Sequence, residues 1–158
     1  MDKPTDSTSS ADLPLTEATL QLIADAREEA ARLQHEYVGT EHLVLALSRQ
    51  AADATLLVAL GVDPERVHTS IGDIVRRGSA ASERSSERPF TMRTQRSFAL
   101  AAESARELGH TRVDVAHVLV GLLRERSNIG AHVLTGEGLT VERAYDYARR
   151  SRVPAHPE

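Results

Sequence analysis

The chain contains an internal repeat, and this repeat limits its fold more than any other feature of the sequence. The stretch LQHEYVGTEHLVLAL at residues 33–47 returns as LGHTRVDVAHVLVGL at residues 108–122. The offset preserves two histidines, because His35 aligns with His110 and His42 with His117. A repeat of this length is one supersecondary unit that cannot bury its apolar face alone. We therefore expect two halves that pack about a pseudo-twofold axis, with a boundary between them that we call the seam.

The periodicity within each copy is helical. Residues of the first segment recur at helical spacing, at Leu20, Ile23, Ala26 or Arg27, Ala30 and Leu33. Strand-like alternation does not occur in the sequence, and aromatic residues make up only 3% of it. A core of Leu, Val, Ile and Ala suits packed helices. The predicted fold is all-α, with two tandem four-helix repeats.

Helix boundary signals support this reading. Thr16 is a predicted N-cap, and Thr40 is a predicted cap of the second helix, over residues 40–50. The third helix is expected to end at Gly61, which suits the C′ position. Asp63 as N-cap with Pro64 at the first helical position predicts the start of the fourth.

The repeat also predicts the domain organisation. After Arg124 the second copy gains two residues, so that Gly61 pairs with Gly138. Polar or Ser-rich composition predicts disordered tails and a flexible linker. The expected segments are an N-terminal tail at 1–12, the double repeat at 13–152 (repeat one 15–77, linker 78–88, repeat two 89–152) and a C-terminal tail at 153–158.

Composition argues against several classes of function. The net charge of −4 gives no reason to expect nucleic-acid binding, and the absence of cysteine excludes thiolate chemistry. Lys3 is the only lysine and lies in the tail, which excludes a P-loop. We find no plausible nucleophile–base pair, and expect no catalytic residue and no cofactor. The polar N-terminus and the short apolar runs predict a cytoplasmic protein with no membrane segment.

Each histidine pair flanks a turn before a helix, at residues 35–42 and 110–117, which we call the two corners. The spacing is not that of a zinc-binding helix, which needs histidines at i and i+4. The simpler reading is structural, with His35 and His42 bonding the backbone near the turn, and we expect no metal. Glu41 has two possible roles. It stabilises the positive end of its own helix, or it is a carboxylate at the seam that binds a cation.

At this point the sequence resembles a known family. TEATLQLIADAREEAARLQHEYVGTEHLVLALSR and PFTMRTQRSFALAAESARELGHTRVDVAHVLVGLL resemble the two copies of the Clp N-terminal repeat, the paired four-helix module at the front of ClpC- and ClpA-type AAA+ unfoldases. The resemblance covers about residues 15–152. It implies a non-enzymatic docking domain that receives adaptors and tagged substrates of a Clp protease.

In ClpC-type members the resemblance also implies a receptor for phosphorylated arginine. The Glu of each G-T-E-H corner then faces the guanidinium, and the threonine that opens each repeat lies near the phosphate. By position these are Glu41 with Thr16 and Thr91. The second corner has Ala116 in place of the glutamate and is preceded by Asp114. We therefore expect one phosphoarginine site and not two.

Hydrophobic or cyclic peptides are a further expected ligand class. Phe90 lies just before Thr91, at the mouth of the second repeat. The alternative is a hydrophobic staple, in which Phe90 packs on the following helix.

No ATPase segment follows Glu158, so we expect a stand-alone protein that acts as an accessory subunit, a regulator or a decoy for a full-length Clp unfoldase. The alternative is a transcriptional regulator or an enzyme on an unrelated helical fold. A regulator would need a basic recognition helix, which the sequence does not clearly contain.

Overall fold

The computed structural model describes residues 13–78 and 88–153, which form eight α-helices and two isolated β-bridges. Most of the predicted tails and linker lies outside these residues. None of the described helices has the length and apolarity needed to cross a bilayer. The helices are α1 (Glu17–Arg32), α2 (Thr40–Arg49), α3 (Ala51–Ala59), α4 (Pro64–Ile74), α5 (Met92–Glu107), α6 (Val115–Glu125), α7 (Ile129–Gly136) and α8 (Val141–Arg150).

The predicted division into two four-helix halves is confirmed. In the first half (residues 13–78) α2 packs against α1, α3 and α4, and in the second half (residues 88–153) α6 packs against α5, α7 and α8. The two central helices carry four fully buried leucines, Leu43, Leu47, Leu119 and Leu122. Each half thus wraps its outer helices around one apolar helix.

Most of the helix boundary signals act as expected. Thr16 accepts a hydrogen bond from the Thr19 N–H at 3.2 Å. The Asp63 carboxylate accepts from the Glu65 N–H at 3.0 Å. Gly61 has φ +81°, a left-handed conformation that glycine adopts without strain.

Two predictions about these helices are wrong. The N-cap of α2 is Gly39 and not Thr40, which is the first helical residue. Leu20 does not lie on the buried stripe of α1, since its side chain is 54% exposed. The polar Thr19 is buried instead, because its hydroxyl donates to the Val113 carbonyl of the other half at 2.9 Å. Apolar spacing alone could not show a hydrogen bond across the seam.

The segment before the first helix of each half pairs with the corner of the other half, in a symmetric way. Leu15 pairs with Val113 and Val38 with Phe90, each through a parallel β-bridge. The Val113 carbonyl accepts from the Thr16 N–H at 3.0 Å. In the same way, the Val38 carbonyl accepts from the N–H of Thr91, the residue that matches Thr16, at 3.0 Å. These paired contacts are what a pseudo-twofold axis requires.

The pseudo-symmetry fails at the third helix of each half. Helix α7 packs against α2 and α4, whereas α3 packs much less closely on α6. A Cβ on Gly130 would lie 2.8 Å from Val44 Cγ2 and 3.0 Å from the Thr40 carbonyl oxygen, so glycine is needed for this approach. Counted from the paired Gly61 and Gly138, the matching residue of α3 is Asp53. Asp53 is half-buried and has a side chain at the position where α7 has none.

Candidate functional site

A cavity of about 470 Å³ lies at the seam, where three helices begin. Its walls are the start of α2, the first turn of α5 and the loop that leads into α7. The first N–H groups of a helix lack intrahelical acceptors and carry the positive end of the helix dipole. Three such ends at one cavity favour an anion. The lining residues are Gly39, Thr40, Glu41, Thr91, Met92, Arg93, Arg96, Ser127, Asn128 and Ile129.

Glu41 brings a negative charge to this otherwise positive cavity. Its carboxylate folds back over Gly39, because a Cβ built on that glycine would overlap Glu41 Oε1 and lie 2.8 Å from its Cδ. Glycine at the N-cap therefore leaves the space in which the carboxylate lies. Thr40 is buried, and its hydroxyl accepts from the Gly130 N–H at 3.1 Å, which joins α2 to α7.

Thr91 forms the opposite wall of the first cavity. Its hydroxyl accepts from the Thr94 N–H at 3.2 Å and donates to Thr94 Oγ1 at 2.9 Å. The two residues that begin α5, Met92 and Arg93, line the cavity directly. A threonine hydroxyl, first-turn amides and an arginine are suitable groups to hold a phosphoryl group.

The third wall is the loop between α6 and α7, where the second copy carries its extra residues. Asn128 caps α7, since its side chain accepts from the Ala131 N–H at 2.7 Å. Glu125 accepts from Asn128 Nδ2 and from the Ser127 hydroxyl, each at 2.8 Å, and pairs with Arg96 at 3.3 Å. Burial would raise the pKa of Glu125, but these hydrogen bonds outweigh burial and hold it below its usual value. The ionised carboxylate keeps the loop in place.

The pseudo-equivalent cavity of about 330 Å³ lies beside the second corner and has the opposite character. Asp114, the N-cap of α6, accepts from the Thr16 hydroxyl at 2.7 Å. Burial, together with the smaller effect of the charges of Asp25 and Asp114, raises the pKa of Asp53 to about 6. Asp114 stands where the first half has its pseudo-equivalent Gly39, and Asp53 stands at the position that matches Gly130. The second cavity is therefore the more acidic of the two.

The histidines of the first corner form a chain of hydrogen bonds with a defined direction. The Gly39 N–H donates to His42 Nδ1 at 2.8 Å, so the neutral ring of His42 carries its proton on Nε2. That nitrogen lies 2.8 Å from His35 Nδ1, and His35 Nε2 then donates to the Arg76 carbonyl at 2.6 Å. Burial lowers the pKa of His42 to about 4, with His35 and Arg88 adding to the effect.

The second corner repeats this arrangement. His117 Nδ1 accepts from the Asp114 N–H at 2.8 Å, and its Nε2 lies 2.8 Å from His110 Nδ1. Burial lowers the pKa of His117 to about 4, with His110 adding to the effect and Asp114 opposing it. The inner histidines of the two corners, His42 and His117, are therefore both neutral at physiological pH.

His35, Glu41 and His42 also place possible metal-ligand atoms within 4.8 Å of one another. All four ring nitrogens of the two histidines already have a protein hydrogen-bond partner. A metal would have to replace these bonds. The second corner keeps the histidine pair without the glutamate, and backbone bonding explains both pairs equally well.

The structure brings three of the five predicted ligand-binding residues together. Thr40, Glu41 and Thr91 line the first cavity. Thr16 lies at the second cavity, bonded to Asp114. Phe90 lies outside both linings and stacks on another phenylalanine of α5, with ring centroids 5.3 Å apart.

Sequence reasoning missed the remaining walls of the first cavity. Arg93 and Arg96 follow the predicted cap Thr91, and Asn128 begins α7. The preference of asparagine for N-cap positions could have located Asn128. No local signal shows that its loop faces Glu41.

The fold and the two seam cavities define a double-repeat helical domain with a cavity at each corner of the seam between its halves. Residues 14–137 match the family model of the Clp repeat (R) N-terminal domain. The chain belongs to this family.

Relatives with curated descriptions are much longer than this chain. The negative regulator of genetic competence ClpC/MecB of Bacillus subtilis (strain 168) is 36% identical over 131 residues, which make up 82% of this chain and 16% of the relative. The chloroplastic chaperone protein ClpC1 of Arabidopsis thaliana is 38% identical over 125 residues, or 78% of this chain and 13% of the relative. The chain thus spans about one seventh of their length.

Solved structures share the fold. The N-terminal domain of the chaperone ClpD from Arabidopsis thaliana has a TM-score of 0.66 and 23% identity, over 85% of this chain and 94% of that chain. The Hsp104 N-terminal domain from Candida albicans has a TM-score of 0.68 and 15% identity, over 87% and 90%. At these identities the likeness shows the fold alone. The predicted fold and family are confirmed, and the alternative of an unrelated helical fold is wrong.

Proposed function

We propose that this chain is a binding module of a Clp proteolytic system, and that its first cavity binds phosphorylated arginine on substrates. The observation that supports this most directly is the charge arrangement of that cavity. Three helix N-termini and two arginines favour the phosphoryl group, and Glu41 lies among them to accept from a guanidinium. A phosphoarginine side chain carries both groups, with the phosphoryl group bonded to a guanidino nitrogen.

The second cavity supports the proposal of a single site. Asp114 already takes the hydroxyl of Thr16, and Asp53 adds a second carboxylate. A phosphoryl group there would meet like charges. The missing glutamate at Ala116 removes the group that would select arginine. Both effects act against binding at this cavity.

Belonging to the Clp repeat family supports the wider role. We propose that the chain docks adaptors or tagged substrates without catalysing a reaction, in the cytoplasm, as an accessory, regulator or decoy for an unfoldase. Hydrophobic or cyclic peptides near Phe90 are a second, less supported ligand class. The ring of Phe90 already contacts Phe98 and lies 5.3 Å from the guanidinium carbon of Arg27, as a staple would.

Titration calorimetry with free phosphoarginine tests the site. We expect a stoichiometry near one. Glu41→Gln keeps the shape of the side chain but removes its charge, and should weaken binding at least tenfold, since a charge-assisted hydrogen bond contributes roughly 1.5–3 kcal/mol. Unmodified arginine and inorganic phosphate should each bind far more weakly than phosphoarginine.

Asp114→Asn is the matched control, because it changes a carboxylate at the other corner and should leave the affinity within about twofold. A stoichiometry near two, or an unchanged affinity in Glu41→Gln, would show that the carboxylate is wrongly assigned. Absence of binding would favour docking of a protein partner by another surface.

A further inference from the structure

Two exposed apolar side chains stand at the rim of the first cavity. Met92 is 68% exposed and Ile129 is 37% exposed, and both line the cavity. Each is the first residue of its helix, α5 or α7. Among the large apolar side chains of the described residues, Met92 is the most exposed.

The folding of the domain does not explain the methionine. At the matching position of the first half the chain has Glu17, whose charge stabilises a helix N-terminus. Met92 brings no such charge, and its exposed surface contributes little burial. An apolar side chain at the edge of a charged cavity is better explained by what the cavity binds.

The cavity and its rim therefore recognise different parts of one ligand. The interior offers Glu41, first-turn amides and arginines, all of which suit a charged side chain. Met92 and Ile129 offer apolar surface to the part of the ligand that lies just outside the cavity, beside that charged side chain. In a polypeptide this is the residue next to the charged one.

We infer that the first cavity is selective for phosphoarginine flanked by an aliphatic or aromatic residue, which packs against Met92 and Ile129. This inference rests on the proposed function of the same cavity. Extended or unfolded segments present an arginine and an apolar neighbour together, whereas folded proteins bury the neighbour. The substrate class is therefore unfolded phosphoarginine-bearing polypeptide. Burial of the flanking side chain should strengthen binding roughly tenfold.

Competition measured by fluorescence anisotropy tests the inference with three ligands. These are free phosphoarginine, a capped peptide with glycines on both sides of phosphoarginine, and the same peptide with leucines beside it. The leucine peptide should bind about tenfold more tightly than the glycine peptide. In the double variant Met92→Gln/Ile129→Thr this preference should fall below about threefold. Free phosphoarginine should lose much less affinity for that variant than the leucine peptide loses.

Leu20→Gln is the matched control, because Leu20 is 54% exposed but is not part of the cavity lining. It should keep the full preference. Equal binding of both peptides by the unmodified protein, or a preference that survives in the double variant, would overturn the inference and leave the proposed function in place. If none of the three ligands binds, both the inference and the proposed phosphoarginine site are wrong.

Discussion

Gly39 and Asp114 show how one backbone position decides the charge of a cavity. Both are N-caps that follow a histidine corner, and both donate their N–H to the inner histidine. Glycine leaves room for the carboxylate of Glu41 to fold back over it. Aspartate supplies a carboxylate of its own, which binds Thr16 and not a ligand. The side chain at the cap is thus one of the differences that make the second cavity more acidic than the first.

The buried histidines make stability depend on pH. An unfolded histidine takes up a proton near pH 6.5, whereas folded His42 and His117 do so only near pH 4. The unfolded state therefore gains protons first, and the stabilisation is fully present above pH 6.5 and declines as the pH falls towards 4. The loss should reach up to roughly 3 kcal/mol for each histidine.

Urea unfolding of the wild type and of His42→Gln between pH 7.5 and pH 4.5 measures this effect. The difference in free energy of unfolding between the two proteins should shrink as the pH falls. That difference cancels the contribution of Asp53, whose raised pKa acts in the opposite direction. His132→Gln, at an exposed histidine, should run parallel to the wild type. A constant difference for His42→Gln would refute the buried neutral histidine.

At the scale of elements, helix packing distances are set by single glycines. Helices α5 and α6 form the most extensive helix pair of the described residues. A Cβ on Gly121 would overlap the Ser97 carbonyl oxygen and lie 2.8 Å from the Ala101 nitrogen. The matching residue of α2 is Ala46, and α1 packs less extensively on that helix. Glycine at this position is therefore required for the packing seen in the second half, whereas the first half accommodates an alanine there.

Gly121→Ala should destabilise the protein by roughly 1–3 kcal/mol, because the backbone of α5 has to move away. Gly72→Ala is its matched control. Gly72 lies within α4 with no atom within 4 Å of an added Cβ, so the change should stabilise the helix by about 0.5–1 kcal/mol. Denaturant unfolding of both variants gives the comparison. If both variants change the free energy of unfolding equally, helix propensity and not packing determines the effect of Gly121→Ala.

At the scale of the whole molecule, the halves depend on each other. Leu15 pairs with Val113, and Val38 pairs with Phe90, so each half completes the corner of the other. Helix α7 lies on α2 and α4 of the opposite half. Neither four-helix unit encloses its own apolar surface.

The domain should therefore unfold as one unit. Leu57→Ala removes a fully buried side chain of the first half, which should cost roughly 2–5 kcal/mol. Amide signals of the second half, such as that of Gly138, should lose their native positions at the same lowered urea concentration as those of the first half. If the second half keeps its wild-type midpoint, the halves are independent.

The sequence by itself determined the features that depend on neighbours along the chain. Thr16 and Asp63 cap their helices, and Gly61 ends one, because these residues satisfy terminal backbone groups within a few positions. The repeat offset determined the number of helices and the pairing of the halves, since copies of one unit bury the same face. These signals were sufficient to predict the fold, and the resemblance of both copies to the Clp N-terminal repeat predicted the family.

Only the tertiary structure decided which residues meet at the seam. Thr16 and Thr91 are equivalent positions of the repeat, so the sequence did not show which of them lies near Glu41. In the structure Glu41 shares its cavity with Thr91 and the loop before Asn128. A repeat offset relates equivalent positions and contains no information about which half supplies each wall. That choice depends on how closely helices approach across the seam. Gly130 allows α7 to approach α2, whereas α3, with Asp53 at the matching position, packs much less closely on α6.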